Sequence, residues 1–320
     1  MRVKQLTSAD IPQAAELWQA ATDQRRHDLG VEWVGHGASA LERAGAFGVG
    51  VLEDGAAEDG QLQAIAVALP ALADDARSAQ PVPGLAHISS VAARPGHWGR
   101  GYGGLTVRAV MSHAVRRGYA RVQLWTHQSN RGAKRLYERE GFTDIGRRRT
   151  DDNGEEIVHY LRELPQPPLV GRRAARMLCV DPDGAILLMH WRDPFDGWQL
   201  WEPPGGGIEE AESAYDAVRR EWAEETGLPL PEVSPESTVV GRDGLWRGGR
   251  VVANEDFFYG TTPTRAAPLD TGGFTNAERT DDLGHAWVPW QQLDSLDDPV
   301  VPDLLPVLRR LAPLGPWGSR

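Results

Sequence analysis

The chain has 320 residues, 41% hydrophobic and 25% charged, with a net charge of −11. At roughly 100–200 residues per domain, that length predicts two domains, each able to bury a core without staples, and the composition excludes disorder as the main state. A lone cysteine, Cys179, excludes a disulfide framework and reads as a small buried hydrophobe, while the longest apolar stretch, near Ala64–Ala73, contains a proline and is too short to span a membrane.

In chain order, Thr7–Asp10 reads as a cap for a helix over Ile11–Ala20, with Ile11, Ala14, Ala15 and Trp18 on one face. Strands follow at Gly48–Glu53 and Gln61–Leu69 around a turn at Asp54–Gly60, then at Ala86–Ala93. A helix at Leu105–Arg117, a strand at Arg121–Thr126, a helix at Arg131–Glu140 stopped by Gly141, and a strand at Glu156–Leu161 complete the first half. Pro165, Pro167 and Pro168 make residues 164–170 a stiff connector. Beyond it, Arg176–Val180 and Ala185–Trp191 form a hairpin around Asp181–Gly184, Ser213–Thr226 is a helix ended by Gly227, Val251–Gly260 is a strand, and Val300–Leu311 is a closing helix. Residues 229–250 and 262–283 give no clear strand pattern.

Charge separates the halves. Up to Glu163 there are 20 acidic and 20 basic residues; from Leu164 onward there are 25 acidic and 14 basic. The acidic half suits divalent cations and disfavours nucleic acid. MRVKQLTSAD lacks the apolar core of a signal peptide, so a soluble, cytoplasmic protein with no membrane partner is expected.

The strand at Ala86–Ala93 runs into Arg94-Pro-Gly-His-Trp-Gly-Arg-Gly-Tyr-Gly-Gly104 and then a helix. Glycines let the backbone approach a ligand, and successive N–H groups at a helix start form an anion site suited to a pyrophosphate. Later comes Asn130-Arg-Gly-Ala-Lys-Arg-Leu-Tyr-Glu-Arg-Glu-Gly-Phe142. Together these resemble the GNAT superfamily of N-acetyltransferases, whose loop reads Arg/Gln-x-x-Gly-x-Gly/Ala and whose later helix reads Asn-x-x-Ala-x-x-Leu-Tyr-x-x-x-Gly-Phe. Gly101 and Gly103 match the loop, Trp98 stands where Arg or Gln is usual, and Asn130, Ala133, Leu136, Tyr137, Gly141 and Phe142 match the helix.

The resemblance covers residues 1–163 and implies an acetyl-CoA-dependent transfer to a small-molecule amine. It assigns the CoA pyrophosphate to the backbone of Gly99, Arg100, Gly101, Tyr102, Gly103 and Gly104, and the pantetheine arm to that of Val91, Ala92 and Ala93. Asn130 would fix that arm or the helix start. Tyr137, whose ordinary pKa of ~10 keeps it protonated at neutral pH, would donate to the departing sulfur; its alternative role is core packing. The general base is His87, Glu53 or a water, and His27–His36 is a candidate acceptor loop.

The second half carries Gly206-Gly-Ile-Glu-Glu-Ala-Glu212-Ser-Ala-Tyr-Asp-Ala-Val-Arg-Arg220-Glu-Trp-Ala-Glu-Glu-Thr-Gly-Leu228. It resembles the Nudix box, with every fixed residue at its spacing and Trp222 and Leu228 in the apolar positions. Glu221, Glu224 and Glu225 stand at i, i+3 and i+4, on one helix face. Oxygen ligands select a hard ion, Mg2+ or Mn2+, to bridge a diphosphate. Arg220 would orient a helix glutamate, Glu212 would anchor the junction, and by resemblance the Gly206 carbonyl is a further ligand. Trp201–Gly207 resembles the family's Pro-Gly-Gly turn and His285–Trp290 its late strand. Glu255 or Glu278 is a candidate outside carboxylate, and Trp191, Trp198, Trp246 and Phe258 stack a base or pack the core.

The expected architecture is therefore two-domain α/β: a GNAT-like mixed sheet flanked by helices over residues 1–163, then a Nudix α/β/α sandwich over 171–320. The expected function is bifunctional, an N-acetyltransferase joined to a Mg-dependent hydrolase of a nucleoside diphosphate derivative. Two rivals are a nucleotide-sensing second half that regulates the first, and a metabolic pair acting on one small molecule.

Overall fold

The computed structural model describes residues 1–30, 40–53, 55–57, 59–73, 80–164, 169–265 and 267–318. The connector prolines Pro165, Pro167 and Pro168, turn residues Asp54 and Glu58, and the 31–36 part of the His27–His36 loop lie outside them. Two compact units are present: Met1–Gln166 with Pro194–Trp198, and Pro167–Asp193 with Gln199–Arg320.

The first unit runs β1 (Arg2–Gln5), α1 (Ile11–Leu29), β2 (Phe47–Leu52), β3 (Ala64–Leu72), β4 (Pro81–Ala93), α2 (Tyr102–Arg116), β5 (Arg121–His127), α3 (Arg131–Arg139), β6 (Thr143–Thr150) and β7 (Glu156–Glu163). Its sheet has the order β1-β2-β3-β4-β5-β7-β6. Every neighbour pair is antiparallel except β4 with β5. One face of the sheet packs Val49, Ala66, Ile88, Leu124 and Tyr160 under α2, whose Val107 and Val110 are fully buried. The other receives Ala14 and Leu17 of α1 against Ile65 and Val67.

α1 continues nine residues past its apolar stripe. Hydrogen bonds from Gln19 to Asp23 and from Gln24 to Asp28, both 2.8 Å, support that polar extension, and Gly30 at φ 65° ends it. Two strands, β1 and β6, carry no apolar alternation. β6 is an exposed edge of polar residues, held to β7 across a register shift between Asp144 and Arg148.

Pro194–Trp198 completes this unit from far along the sequence. Asp196 accepts from Ser112 Oγ at 2.6 Å and from Arg116 Nε at 2.8 Å, and its carbonyl accepts from His113 Nε2 at 2.9 Å. Burial holds the His113 imidazole down at about 4, against the opposing pull of Asp196. Trp198 meets His113 edge-on at 5.4 Å, with Arg116 and Arg117 over its ring. Its ring contacts are thus with α2, which is the packing reading of this residue, made within the first unit.

The second unit runs β8 (Leu169–Val180), β9 (Ala185–Arg192), β10 (Gln199–Glu202), β11 (Gly205–Gly207), α4 (Ala214–Thr226), β12 (Glu232–Trp246), β13 (Gly249–Thr261), α5 (Asn276–Asp281), β14 (Asp282–Pro289) and α6 (Leu304–Leu311). The main path is β10-β9-β8-β13-β12, with β11 on β8 and β14 on β9. β8 and β13 are parallel from Leu169 to Val180, so the strand begins inside the expected connector.

Alternation along β8 builds two cores. Ala175, Met177 and Cys179 face Ala217, Val218 and Trp222 of α4, whereas Leu178 and Val180 face Leu304, Val307 and Leu308 of α6. Cys179 is fully buried, and burial pushes its thiol up to about 12. The long strand β12 escaped the sequence pattern because it is an edge paired with β13, polar at seven of its fifteen positions and interrupted by Pro235, Gly241 and Gly244.

Candidate functional sites

The first site starts where β4 and β5 part. Their parallel pairing covers only Leu85–His87 with Arg121–Gln123, although β4 continues to Ala93 and β5 to His127. Past that point the facing edges carry backbone polar groups without ladder partners between these two strands, a slot for an extended ligand. β4 then enters the glycine loop. Gly99 and Gly101 hold φ of 78° and 90°, and nothing lies within 4 Å of a Cβ at either. Their requirement is backbone conformation. Gly103 and Gly104 answer a different need: a Cβ there would sit 3.1 Å from Leu136 and 2.9 Å from the Glu140 carboxylate. A side chain at either position would therefore displace Leu136 or Glu140 at the contact of α2 with α3.

Tyr102 opens α2 and stacks on His97 at 5.8 Å. Arg100 is exposed. Trp98 donates its indole N–H to the Ala93 carbonyl at 3.0 Å, so that carbonyl is already engaged. Val91 and Ala92 pair with Ala66 and Ile65 of β3. Asn130 caps α3, its side chain accepting from Ala133 N at 3.0 Å; of its two expected roles this is the helix start. Tyr137 is buried between Phe142 and Tyr160, at 5.8 and 6.2 Å, and burial raises its hydroxyl pKa. It belongs to the core, and burial keeps its hydroxyl protonated. His87 ends the part of β4 that pairs with β5, and Glu53 is exposed after β2.

The second site is built on α4, started by Ser213 accepting from Asp216 N and ended by Gly227 at φ 61°. Trp222 fills the core and donates to the Pro229 carbonyl at 3.2 Å. That anchoring turns Glu221 and Glu225 toward β11. Both are buried, whereas Glu224 is exposed. Glu225 accepts from Gly205 N at 2.8 Å. A Cβ on Gly206 would lie 2.5 Å from Glu221 Oε1, so glycine is needed for the carboxylate to rest there.

Arg220 is the hub. It donates to Glu212 at 2.9 and 3.0 Å, to Glu221 at 2.9 Å, to Glu224 at 3.1 Å and to the Gly207 carbonyl at 2.9 Å. Glu212 also accepts from Glu209 N, which fixes the loop–helix junction. Burial raises the Glu225 pKa well above the carboxylate range, with the Glu221 charge adding to it and Gly205 N–H opposing. Burial likewise raises Glu221, against Arg220.

Two buried, mutually repelling carboxylates fit a cation that would replace their protons. The three glutamates are not gathered at one point, however. Among the described residues, His127, Asp151 and Glu155 are the group of three whose ligand atoms lie within 4.8 Å of one another. Glu224 turns instead to Arg220, which qualifies the expectation of one shared face.

Of the outside carboxylates, Glu278 forms a capping box with Thr275. Glu255 is buried and bonded by Arg176 at 3.0 Å and by Arg242 at 3.3 Å. Burial would raise its pKa, but these two guanidiniums hold it low.

Family models match both halves: the acetyltransferase (GNAT) family over residues 12–142 and the NUDIX domain over 170–311. The chain joins a GNAT acetyltransferase domain to a Nudix domain. Both are enzyme domains. An uncharacterized Nudix hydrolase of Bacillus subtilis (strain 168), YvcI, is 39% identical over 64 residues, 19% of this chain and 38% of that protein. A second protein of that strain, provisionally named 8-oxo-dGTP diphosphatase, is 27% identical over 116 residues, 36% of this chain and 65% of its own length. The chain thus spans less than two thirds of either relative. The ribosomal-protein-S18-alanine N-acetyltransferase of Escherichia coli is 20% identical in structural superposition, covering 51% of this chain and 94% of that one at a TM-score of 0.38.

Each domain holds polar groups that the motifs did not reveal. In the GNAT domain Trp125 stacks on His159 at 4.4 Å, with Arg149 over its ring at 4.5 Å. Nearby, His127 bonds Asp151 at 3.1 Å and Arg25 bonds Glu155 at 3.1 Å, beside a cavity of about 740 Å³ lined by Gln128, Ser129, Arg131, Lys134, Glu155 and Glu156. Burial works against the Glu155 charge, but Arg25 keeps its pKa low, so this carboxylate already has its cation.

In the Nudix domain Glu202 joins Arg176 at 3.1 Å and Arg242 at 2.7 Å, which closes a network with Glu255. Trp201 stacks on His190 at 4.1 Å. Trp191 and Phe258 are core residues against Phe274 and Tyr215, and Trp246 is half-buried on β12. These pairings join residues far apart in sequence, and no local spacing signals them.

Proposed function

We propose that the protein is bifunctional, an acetyl-CoA-dependent N-acetyltransferase and a divalent-metal-dependent hydrolase of a nucleoside diphosphate derivative. The observation that carries the first activity is the parting of β4 from β5 directly before the glycine loop. Extended pantetheine fits the slot, and the pyrophosphate fits the N–H groups from Gly99 to Gly104. The amine nitrogen attacks the thioester carbonyl, the C–S bond breaks, and the Tyr137 hydroxyl passes its proton to the departing sulfur. The amine loses its own proton to His87, Glu53 or water.

The observation that carries the second activity is the buried Glu221–Glu225 pair against Gly205–Gly206. These carboxylates, with Glu224 and the Gly206 carbonyl, would hold Mg2+ or Mn2+. When bound, such an ion offsets diphosphate charge and lowers the pKa of water. Arg220 positions Glu221 and, in turn, restrains Glu224. The Arg176–Glu202–Glu255–Arg242 network braces the wall beside Glu225.

The full chain assayed against a nucleotide panel with Mg2+, by phosphate and pyrophosphate release, tests this half. The panel includes an oxidised purine nucleoside triphosphate, the substrate class in the provisional name of the second Bacillus relative. Nucleotide binding without release on any member would move the sensor reading to the front. An amine panel with acetyl-CoA, followed by thiol release, tests the other half.

A further inference from the structure

We propose that Trp98 is the platform on which the adenine ring of acetyl-CoA stacks, so that it sets the preference for the whole cofactor over its pantetheine part. This rests on the acyl-CoA reading above. Trp98 is 49% exposed, a large apolar side chain left in solvent within the loop assigned to the pyrophosphate. It is nevertheless fixed: its indole N–H is bonded to Ala93 O at 3.0 Å, at the last residue of β4. Among the described residues no other ring stacks on it, because His97 and Tyr102 pair with each other.

Nothing lies within 4 Å of a Cβ at the neighbouring Gly96, Gly99 or Gly101, so the loop backbone on either side of it is uncrowded. The resemblance puts Arg or Gln at this position, side chains that bond a phosphate directly. An indole whose N–H is already used cannot do so, and what it offers is its ring face. A nucleobase joined through ribose to a pyrophosphate held on the loop that begins at the next residue is the group within reach. Base–aromatic stacking is sequence-tolerant and is worth roughly five- to more than a hundredfold in affinity.

The experiment is calorimetry on the full chain with CoA and with 4′-phosphopantetheine, which lacks the adenylate. Wild type, Trp98→Ala and Trp98→Phe are compared. The expected result is that Trp98→Ala weakens CoA about tenfold or more and phosphopantetheine less than about twofold. Trp98→Phe, which keeps a ring and loses the N–H, recovers most of the CoA affinity. Equal weakening of both ligands would make Trp98 a strap on Ala93 and overturn the proposal, as would unchanged CoA binding in Trp98→Ala. So would a wild type that does not prefer CoA. A wild type that binds neither ligand refutes the acyl-CoA reading itself, and the stacking with it.

Discussion

The glycine loop after β4 and the glutamate helix α4 present ligand-binding groups in opposite ways. In the GNAT domain the groups are backbone, made available by strand divergence and by left-handed glycines at 99 and 101. In the Nudix domain they are side chains, two of them buried with raised pKa values and one tied to Arg220. A backbone cradle carries no net charge and needs no counter-ion. A carboxylate cluster is strained by its own charge until a cation arrives. The two sites should therefore differ in how they respond to metal, to charge-removing mutations and to acid.

The largest effect expected is in the Nudix domain. EDTA should abolish hydrolysis, and Glu225→Gln should lower it about a hundredfold or more, because the change removes one of the two buried carboxylates proposed to hold the ion. Acetyl transfer should survive both. Added Mg2+ should raise the melting temperature of the wild type more than that of the variant. An EDTA-sensitive acetyltransferase, or a fully active Glu225→Gln hydrolase, would break the contrast.

Next comes Tyr137→Phe, which should lower acetyl-transfer turnover about 10²–10⁴-fold while CoA affinity stays within about twofold. Steady-state kinetics with calorimetry separates the two. If the variant loses its fold instead, Tyr137 serves the core alone.

A third prediction concerns a place where the GNAT domain does rely on side-chain charge. Asp196→Ala leaves Arg116, only 8% exposed, without its carboxylate. The protection of α2 amides against hydrogen exchange should fall by about 3 kcal/mol. No change would mean that the pair adds nothing.

The smallest effect is the acid sensitivity of the same spot. Burial pushes the His113 pKa down from its ordinary 6.5 to about 4 in the folded chain. Between those values the unfolded chain binds more protons, so stability falls as pH drops from 6.5 toward 4, by up to about 1.4 kcal/mol per pH unit. His113→Gln should flatten that slope. Protection of α2 amides at pH 7 and pH 5, corrected for intrinsic exchange, measures it.

What the sequence revealed follows local spacing. The loop glycines, the Asn130–Phe142 stretch and the run from Gly206 to Leu228 are each short contiguous stretches whose spacing can be read directly. What stayed hidden depends on partners far along the chain: Arg176 with Glu255, 79 residues apart, and Ser112 with Asp196, 84 apart. Trp198 shows how such a partner decides a residue's fate. Its composition suits a base-stacking site, yet Asp196 two residues earlier carries it into the first unit. Glu224 shows the reverse limit, for helical spacing placed it with Glu221 but did not foresee that Arg220 would bond both.

The discontinuity of the first unit has a consequence for biosynthesis. Its last piece, Pro194–Trp198, is translated after β8 and β9 of the second unit. At roughly 5–20 residues per second, that piece leaves the ribosome a few seconds after the connector does. Until then α2 waits with His113 and Arg116 lacking Asp196. The nascent acetyltransferase half is therefore completed by residues from within the hydrolase half, and a gene split at the connector would deliver it without them.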